Sequence, residues 1–181
     1  LVGDDGEPFD RSKPATAIGD LQVRGANVFA GYWRMPDKTD EDFTADGFFN
    51  TGDKATIDAD GYVSIVGRAK DLVICGGLNV YPKEIELVID DMAGVKESAV
   101  IGIPHADFGE VVIAVIVADG AEHAGGVPTP AQVIEHCTKQ LANFKVPKAV
   151  ELIDALPRNA MGKVQKNVLR DRYGSGLAGQ L

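Results

Sequence analysis

Two stretches of the chain are dominated by β-branched apolar residues, Val95 to Ile103 and Glu110 to Ala118, the second almost without interruption, and both predict strands. Ahead of them the period lengthens to that of a helix. Pro82 to about Met92 has proline at its first position and Ile85, Val88, Ile89 and Met92 on one face. A short hairpin, Leu72 to Ile74 and Leu78 to Val80, leads into that helix. Beyond the strands, Ala121 to Pro130 reads as a flexible connector, and a helix of about ten residues follows to Gln140, capped by Thr129 ahead of Pro130. A strand near Ala149 to Ile153, a loop carrying PRNAMGK and a helix from about Lys166 to Tyr173 complete the series. Strands and helices around one sheet predict a small α+β domain.

Residues 1–67 carry a different pattern. Asp20 to Phe29 (DLQVRGANVF) alternates polar and apolar positions, and Gly47 to Ile57 runs into Asp58-Ala59-Asp60-Gly61, a turn ahead of a strand ending in Tyr62 to Val66. These read as short strands with loops and no helix to cover them, beginning abruptly at Leu1. The expectation is that the chain starts inside a larger domain.

Composition changes little in this picture. With 181 residues, 45% hydrophobic and 25% charged, the chain is ordinary for a globular protein and long enough to bury a core without staples. Cys75 and Cys137 stand far apart with no CxxC and no nearby His pair, which points away from a disulfide framework or a zinc site and towards a reducing cytoplasm. No run approaches the length of a membrane span, and the first ten residues lack the pattern of a signal peptide.

Charge is more informative. A net charge of −9 argues against nucleic acid as a partner. Residues 139–172, however, hold 8 basic and 3 acidic groups, a local excess that would suit a small bound polyanion.

Three stretches can carry chemistry. In Thr51-Gly52-Asp53 an aspartate at a strand end can accept hydrogen bonds from a vicinal diol, as acidic residues grip ribose in nucleotide sites. In GRAKDLVICGGLNVYPKEIE, residues 67–86, Arg68, Lys70 and Asp71 form a charged elbow beside an apolar run, and Gly76-Gly77 leaves backbone that a ligand can approach closely. In Pro157-Arg158-Asn159-Ala160-Met161-Gly162-Lys163 a glycine frees the backbone beside a lysine on a mobile loop, suited to neutralising phosphate charge in a transition state. The last is not a Walker A loop, since Pro157 stands at the first glycine position and Val164 where Ser or Thr belongs. Gly174 to Gly179 matches GxGxxG literally but has no preceding strand and reads as a tail. His105 has no nucleophile or carboxylate at useful spacing, and His123 and His136 read as surface residues.

Taken in order, TGD at 51–53, the 67–86 stretch and PRNAMGKVQK at 157–166 resemble the carboxyl-terminal part of the AMP-forming acyl-CoA synthetases. Within that superfamily GGLNVYPKEIE, IGIPHADFGEVV and PRNAMGKVQKNVLR are most similar to malonyl-CoA synthetases. The resemblance implies that residues 1–69 end a large β-rich adenylation domain and residues 70–181 form a small mobile α+β domain, the chain being a fragment inactive by itself. It implies that Asp53 holds the ribose hydroxyls of ATP, that Arg68 reaches the same ribose from the far side, and that Lys70 is the hinge. Gly76 and Gly77 would border the CoA channel, and Lys163 would be the adenylation lysine. Implied substrates are a small carboxylic acid, ATP with Mg²⁺ bound mainly by the preceding domain, and CoA; a lysine acetyltransferase and deacetylase acting on Lys163 are implied partners. An adenylation domain serving a carrier protein, or a non-catalytic binding module, are the competing classes.

Overall fold

The computed structural model describes residues 1–3, 6–8, 17–119 and 126–174. The chain is α+β and divides into two compact units, Leu1–Lys70 and Asp71–Leu181. The connector at 121–125 and the tail at 175–181 lie outside the described residues.

In the first unit β1 (Gly19–Val23), β2 (Phe49–Ile57) and β3 (Val63–Arg68) form an antiparallel sheet in chain order. β1 stops earlier than its alternation suggests, because Gly25 to Val28 closes a turn in which the Val28 N–H donates to the Gly25 carbonyl at 3.0 Å. β2 and β3 are joined by the expected turn, in which the Asp58 carboxylate accepts the Asp60 and Tyr62 N–H groups at 3.0 and 2.8 Å. Between β1 and β2 lies α1 (Pro36–Asp42), a helix absent from the sequence reading. Its sequence PDKTDED has no apolar stripe and none of its residues is buried, so periodicity could not reveal it. Local chemistry forms it instead: proline at its start and Lys38 bridging Glu41 and Asp42 one turn on, each at 3.0 Å.

The second unit is a five-stranded sheet with helices on both faces. The hairpin β4 (Val73–Cys75) and β5 (Leu78–Val80) precedes α2 (Pro82–Asp90), and β6 (Val95–His105) and β7 (Gly109–Ala118) pair antiparallel along their whole length. After α3 (Pro130–Gln140), β8 (Ala149–Leu152) joins β7 in parallel and α4 (Lys166–Gly174) follows. β7 is the organising strand, with β6 on one side and β4 then β8 on the other.

Alternation along β7 explains its apolar run. Val112, Ala114 and Ile116 enter one core with Val100, Ile85 and Ile89 of α2 and Val133 and Cys137 of α3. Val111, Ile113, Val115 and Val117 enter a second core with Ala99, Ile101, Ile103, Leu156 and Leu169 and Tyr173 of α4. A strand covered on both faces has no polar side to show. Each fully buried Ile or Val contributes about 1.5–3 kcal/mol relative to exposure. The two helices facing the first core begin as expected, with Pro82 and Pro130 at their first positions, and Thr129 and Gln132 form a reciprocal capping box. No described helix is long and apolar enough to cross a membrane.

Candidate functional site

In the first unit, register brings two of the sequence-predicted residues together. Asp53 on β2 stands directly opposite Arg68 on β3. The Arg68 Nε donates to Asp53 Oδ1 at 2.8 Å, and its Nη1 donates to the Thr51 carbonyl at 3.3 Å. The Thr51 hydroxyl accepts the Asp53 N–H at 3.1 Å and donates to the Leu21 carbonyl at 2.8 Å, which ties the TGD turn to β1. The guanidinium thus holds the carboxylate itself, whereas the sequence reading set the two on opposite sides of a ribose. The aspartate side chain is largely buried, at 16% exposure, and the arginine is half-exposed.

Lys70 is exposed and stands in a single 3₁₀ turn, Ala69–Asp71, the last residue of the first unit. Asp71, the first residue of the second, is fixed by Arg170 of α4 at 2.8 Å.

Gly76 and Gly77 form the two-residue turn between β4 and β5, with φ of +58° and +80°. Both values lie in the left-handed region that a tight hairpin of this length requires, so glycine is demanded by conformation. The Gly76 N–H donates to the Phe108 carbonyl at 2.9 Å, while a Cβ on Gly77 would meet nothing within 4 Å. One side of the turn is braced and the other is open.

Lys163 closes a turn that is far more organised than a free loop. Arg158 and Val164 pair as an antiparallel bridge across it. The Asn159 side-chain oxygen accepts the Met161 and Lys163 N–H groups at 3.0 and 2.9 Å, and the Asn159 N–H donates to the Lys163 carbonyl at 2.9 Å. Gly162, at φ +79°, lets the chain reverse. The Lys163 side chain is exposed and its ammonium has no hydrogen bond or ion pair among the described residues.

That isolation is informative because most neighbouring cations are already matched. In the basic segment Lys139 holds Glu135, Lys145 holds Glu84, Lys166 holds Glu86 and Arg170 holds Asp71, all at 2.7 to 2.8 Å, and Arg158 holds Glu97. The excess positive charge of residues 139–172 is therefore mostly neutralised within the fold. A whole segment open to a polyanion, the expectation from charge counting, reduces to a few open positions, Lys163 among them.

Sequence reasoning missed the carboxylates that are committed to partners within the fold. Glu86 is 7% exposed and accepts the Val100 N–H at 2.9 Å as well as Lys166. Glu110 accepts the Ile74 N–H at 2.9 Å and so fixes β4. Nothing local in the sequence distinguishes these glutamates from solvated ones. His105 uses Nδ1 to accept the Asp107 N–H at 3.1 Å, a loop role, while His136 contacts the Val88 carbonyl at 3.1 Å and is more enclosed than a surface residue. Among the described residues no group of three His, Cys, Asp or Glu side chains is placed to hold a metal ion.

Residues 84–163 match the AMP-binding enzyme C-terminal domain. The chain is 57% identical to ATP-bound MatB from Rhodopseudomonas palustris, with a TM-score of 0.82 over 96% of this chain and 33% of that one. It is 45% identical over 171 residues to the long-chain-fatty-acid–CoA ligase of Yersinia pestis, covering 94% of this chain and 29% of that protein. Against the feruloyl-CoA synthase of an Amycolatopsis species identity is 42% over 175 residues, 96% of this chain and 34% of that protein. The chain spans about a third of the length of these relatives. Residues 84–163 are therefore an AMP-binding enzyme C-terminal domain, and the chain as a whole is similar in sequence and fold to the acyl-CoA ligases and synthetases that carry one.

Proposed function

We propose that this chain serves an ATP-dependent acyl-CoA ligase that first joins a carboxylic acid to AMP and then transfers the acyl group to CoA. In the first step a carboxylate oxygen attacks the α-phosphorus of ATP and pyrophosphate leaves. Lys163 bridges carboxylate and α-phosphate, offsetting negative charge as it concentrates there. In the second the CoA thiol, losing its proton, attacks the acyl carbon and AMP leaves. Asp53 and Arg68 act as one unit in this reading, Arg68 holding Oδ1 while Oδ2 is offered to the ribose diol. Magnesium would arrive with the ATP phosphates and be held by other parts of a protein as long as the relatives. The observation that carries the proposal is the exposed, unpartnered ammonium of Lys163 on a closed turn in a segment whose cations are otherwise largely paired.

Lys70 is the proposed hinge between the two steps, residues 1–69 ending the large domain and residues 70–181 moving. The chain is held on either side of it, Arg68 by Asp53 and Asp71 by Arg170, so rotation concentrates at Ala69-Lys70. Gly76 and Gly77 are the proposed border of the CoA channel, favoured by the open side of their turn. Malonate is the acid we favour, on the motif resemblance and the 57% identity to MatB. The relatives named for fatty acids and ferulate set the comparison substrates. The cytoplasm, which supplies ATP and CoA, is the proposed setting, and the exposed Lys163 ammonium is open to acetylation, which would remove its charge.

The test is Lys163→Ala in the full-length ligase. Adenylate formation, followed by pyrophosphate exchange, is expected to fall by about 10²-fold or more. Conversion of supplied acyl adenylate and CoA to thioester should persist. Equal loss of both half-reactions overturns the assignment. Relative rates with malonate, a long-chain fatty acid and ferulate decide the acid.

A further inference from the structure

Lys163 sits on a turn of a few residues at the protein surface, and internal hydrogen bonds shape such a turn without aiming it. Asn159 accounts for the shape. Leu156 and Val164 seat the turn's two ends against the second core, and Arg158, one residue before Asn159, ties its middle to the sheet. One arm of its guanidinium donates to the Gly162 carbonyl at 2.6 Å, next to Lys163, and the other donates to the Glu97 carboxylate. Glu97 lies on β6, 61 residues away in sequence and outside every motif that singled out the site.

β6 is a rigid support. It pairs with β7 along its length, and its register shifts between Val95 and Glu97, a bulge that places an extra residue in the strand. Bulges of this kind re-aim a side chain, and here the strand that supplies both cores also presents a carboxylate to the turn. We infer that Glu97, acting through Arg158, is a positioning residue that clamps the Lys163 turn to the central sheet. The inference rests on the proposed role of Lys163 in adenylate formation.

The chemistry gives the clamp its value. A charge-stabilising group must sit within hydrogen-bond reach of the reacting phosphate, and misplacement by about 1 Å can cost 10²-fold in rate. A partly exposed ion pair, by contrast, adds little to folding stability. Glu97 is 27% and Arg158 43% exposed, so loss of the pair should register in the geometry of the turn and leave melting almost unchanged.

The experiment compares Glu97→Ala, Glu97→Gln and Lys163→Ala in the full-length ligase. For Glu97→Ala, kcat for adenylate formation should fall about tenfold with the KM for ATP unchanged, because an aiming defect acts in the transition state. Thioester formation from supplied acyl adenylate should hold, Tm should hardly move, and amide hydrogen exchange in residues 157–165 should accelerate. Glu97→Gln keeps an acceptor for Arg158 and should fall between wild type and Glu97→Ala. Unchanged exchange in residues 157–165 overturns the clamp. So does faster exchange with undiminished adenylation in an enzyme where Lys163→Ala abolishes that step, and so does parallel loss of both half-reactions. If Lys163→Ala itself leaves adenylation intact, the lysine's role is what fails, and the exchange rates still decide whether Glu97 holds the turn.

Discussion

Residues 1–70 and residues 71–174 are both built on sheets, yet among the described residues only Ala55 of the first unit is a buried apolar side chain, and all the others belong to the second. The contrast comes from how many faces are covered. β7 lies between α2 and α3 on one face and α4 on the other, so consecutive residues all find a core. The three strands of the first unit have for company a seven-residue helix with no buried residue, and Tyr62, Val63 and Ile65 remain 73%, 47% and 60% exposed. The second unit is held by apolar burial. The first is held by turns, by ring contacts among Phe29, Tyr32, Phe43 and Phe49, none of them fully buried, and by pairs such as Asp53–Arg68, which order a site without supplying much folding free energy.

The largest effect should come from separating the units. Residues 71–181 alone are expected to fold and unfold cooperatively in urea, and residues 1–70 alone to show no cooperative transition, by circular dichroism. A sharp transition in the 1–70 peptide would break the comparison.

Within the second unit, Glu86→Ala should cost about 3–5 kcal/mol, because it leaves Lys166, 16% exposed, and the Val100 N–H without their buried partner. Ile113→Ala, at the centre of β7 and fully buried, should cost about 2–5 kcal/mol by opening a cavity. The matching substitution on the first sheet, Ile65→Ala at 60% exposure, should stay within about 0.5 kcal/mol. Denaturant midpoints of the three variants make the comparison quantitative, and a large loss at Ile65 would mean that its face is covered.

The smallest effect concerns pH. Burial pushes the Cys137 thiol up from 9.0 to about 11. The unfolded chain then releases its proton from about pH 9 while the folded chain keeps it. The contribution of this thiol is fully present below pH 9 and is lost as pH rises towards 11. Cys137→Ser should flatten the fall in Tm over that window, and a thiol reagent at pH 8 should leave Cys137 unmodified in the folded protein.

Where order is local, sequence and structure agree closely. The helices from Pro82 and Pro130 and the strands from Val95 and near Glu110 follow from period, caps and β-branching, which act within a few residues. α1 escaped because an exposed, charge-stabilised helix leaves no apolar trace. The site divides in the same way. Asp53, Arg68, Lys70, Gly76, Gly77 and Lys163 could be singled out from short motifs, since turn glycines and their charged neighbours are set by the adjoining backbone. Their partners could not. That Arg68 closes on Asp53, that Lys166 is spent on Glu86 and Arg158 on Glu97, and that Lys163 is left open depend on strand register and on packing between segments 15 to 80 residues apart. Periodicity says which face of an element is apolar; only the assembled sheet decides which charges meet, because that choice is made by the energy of burying them together.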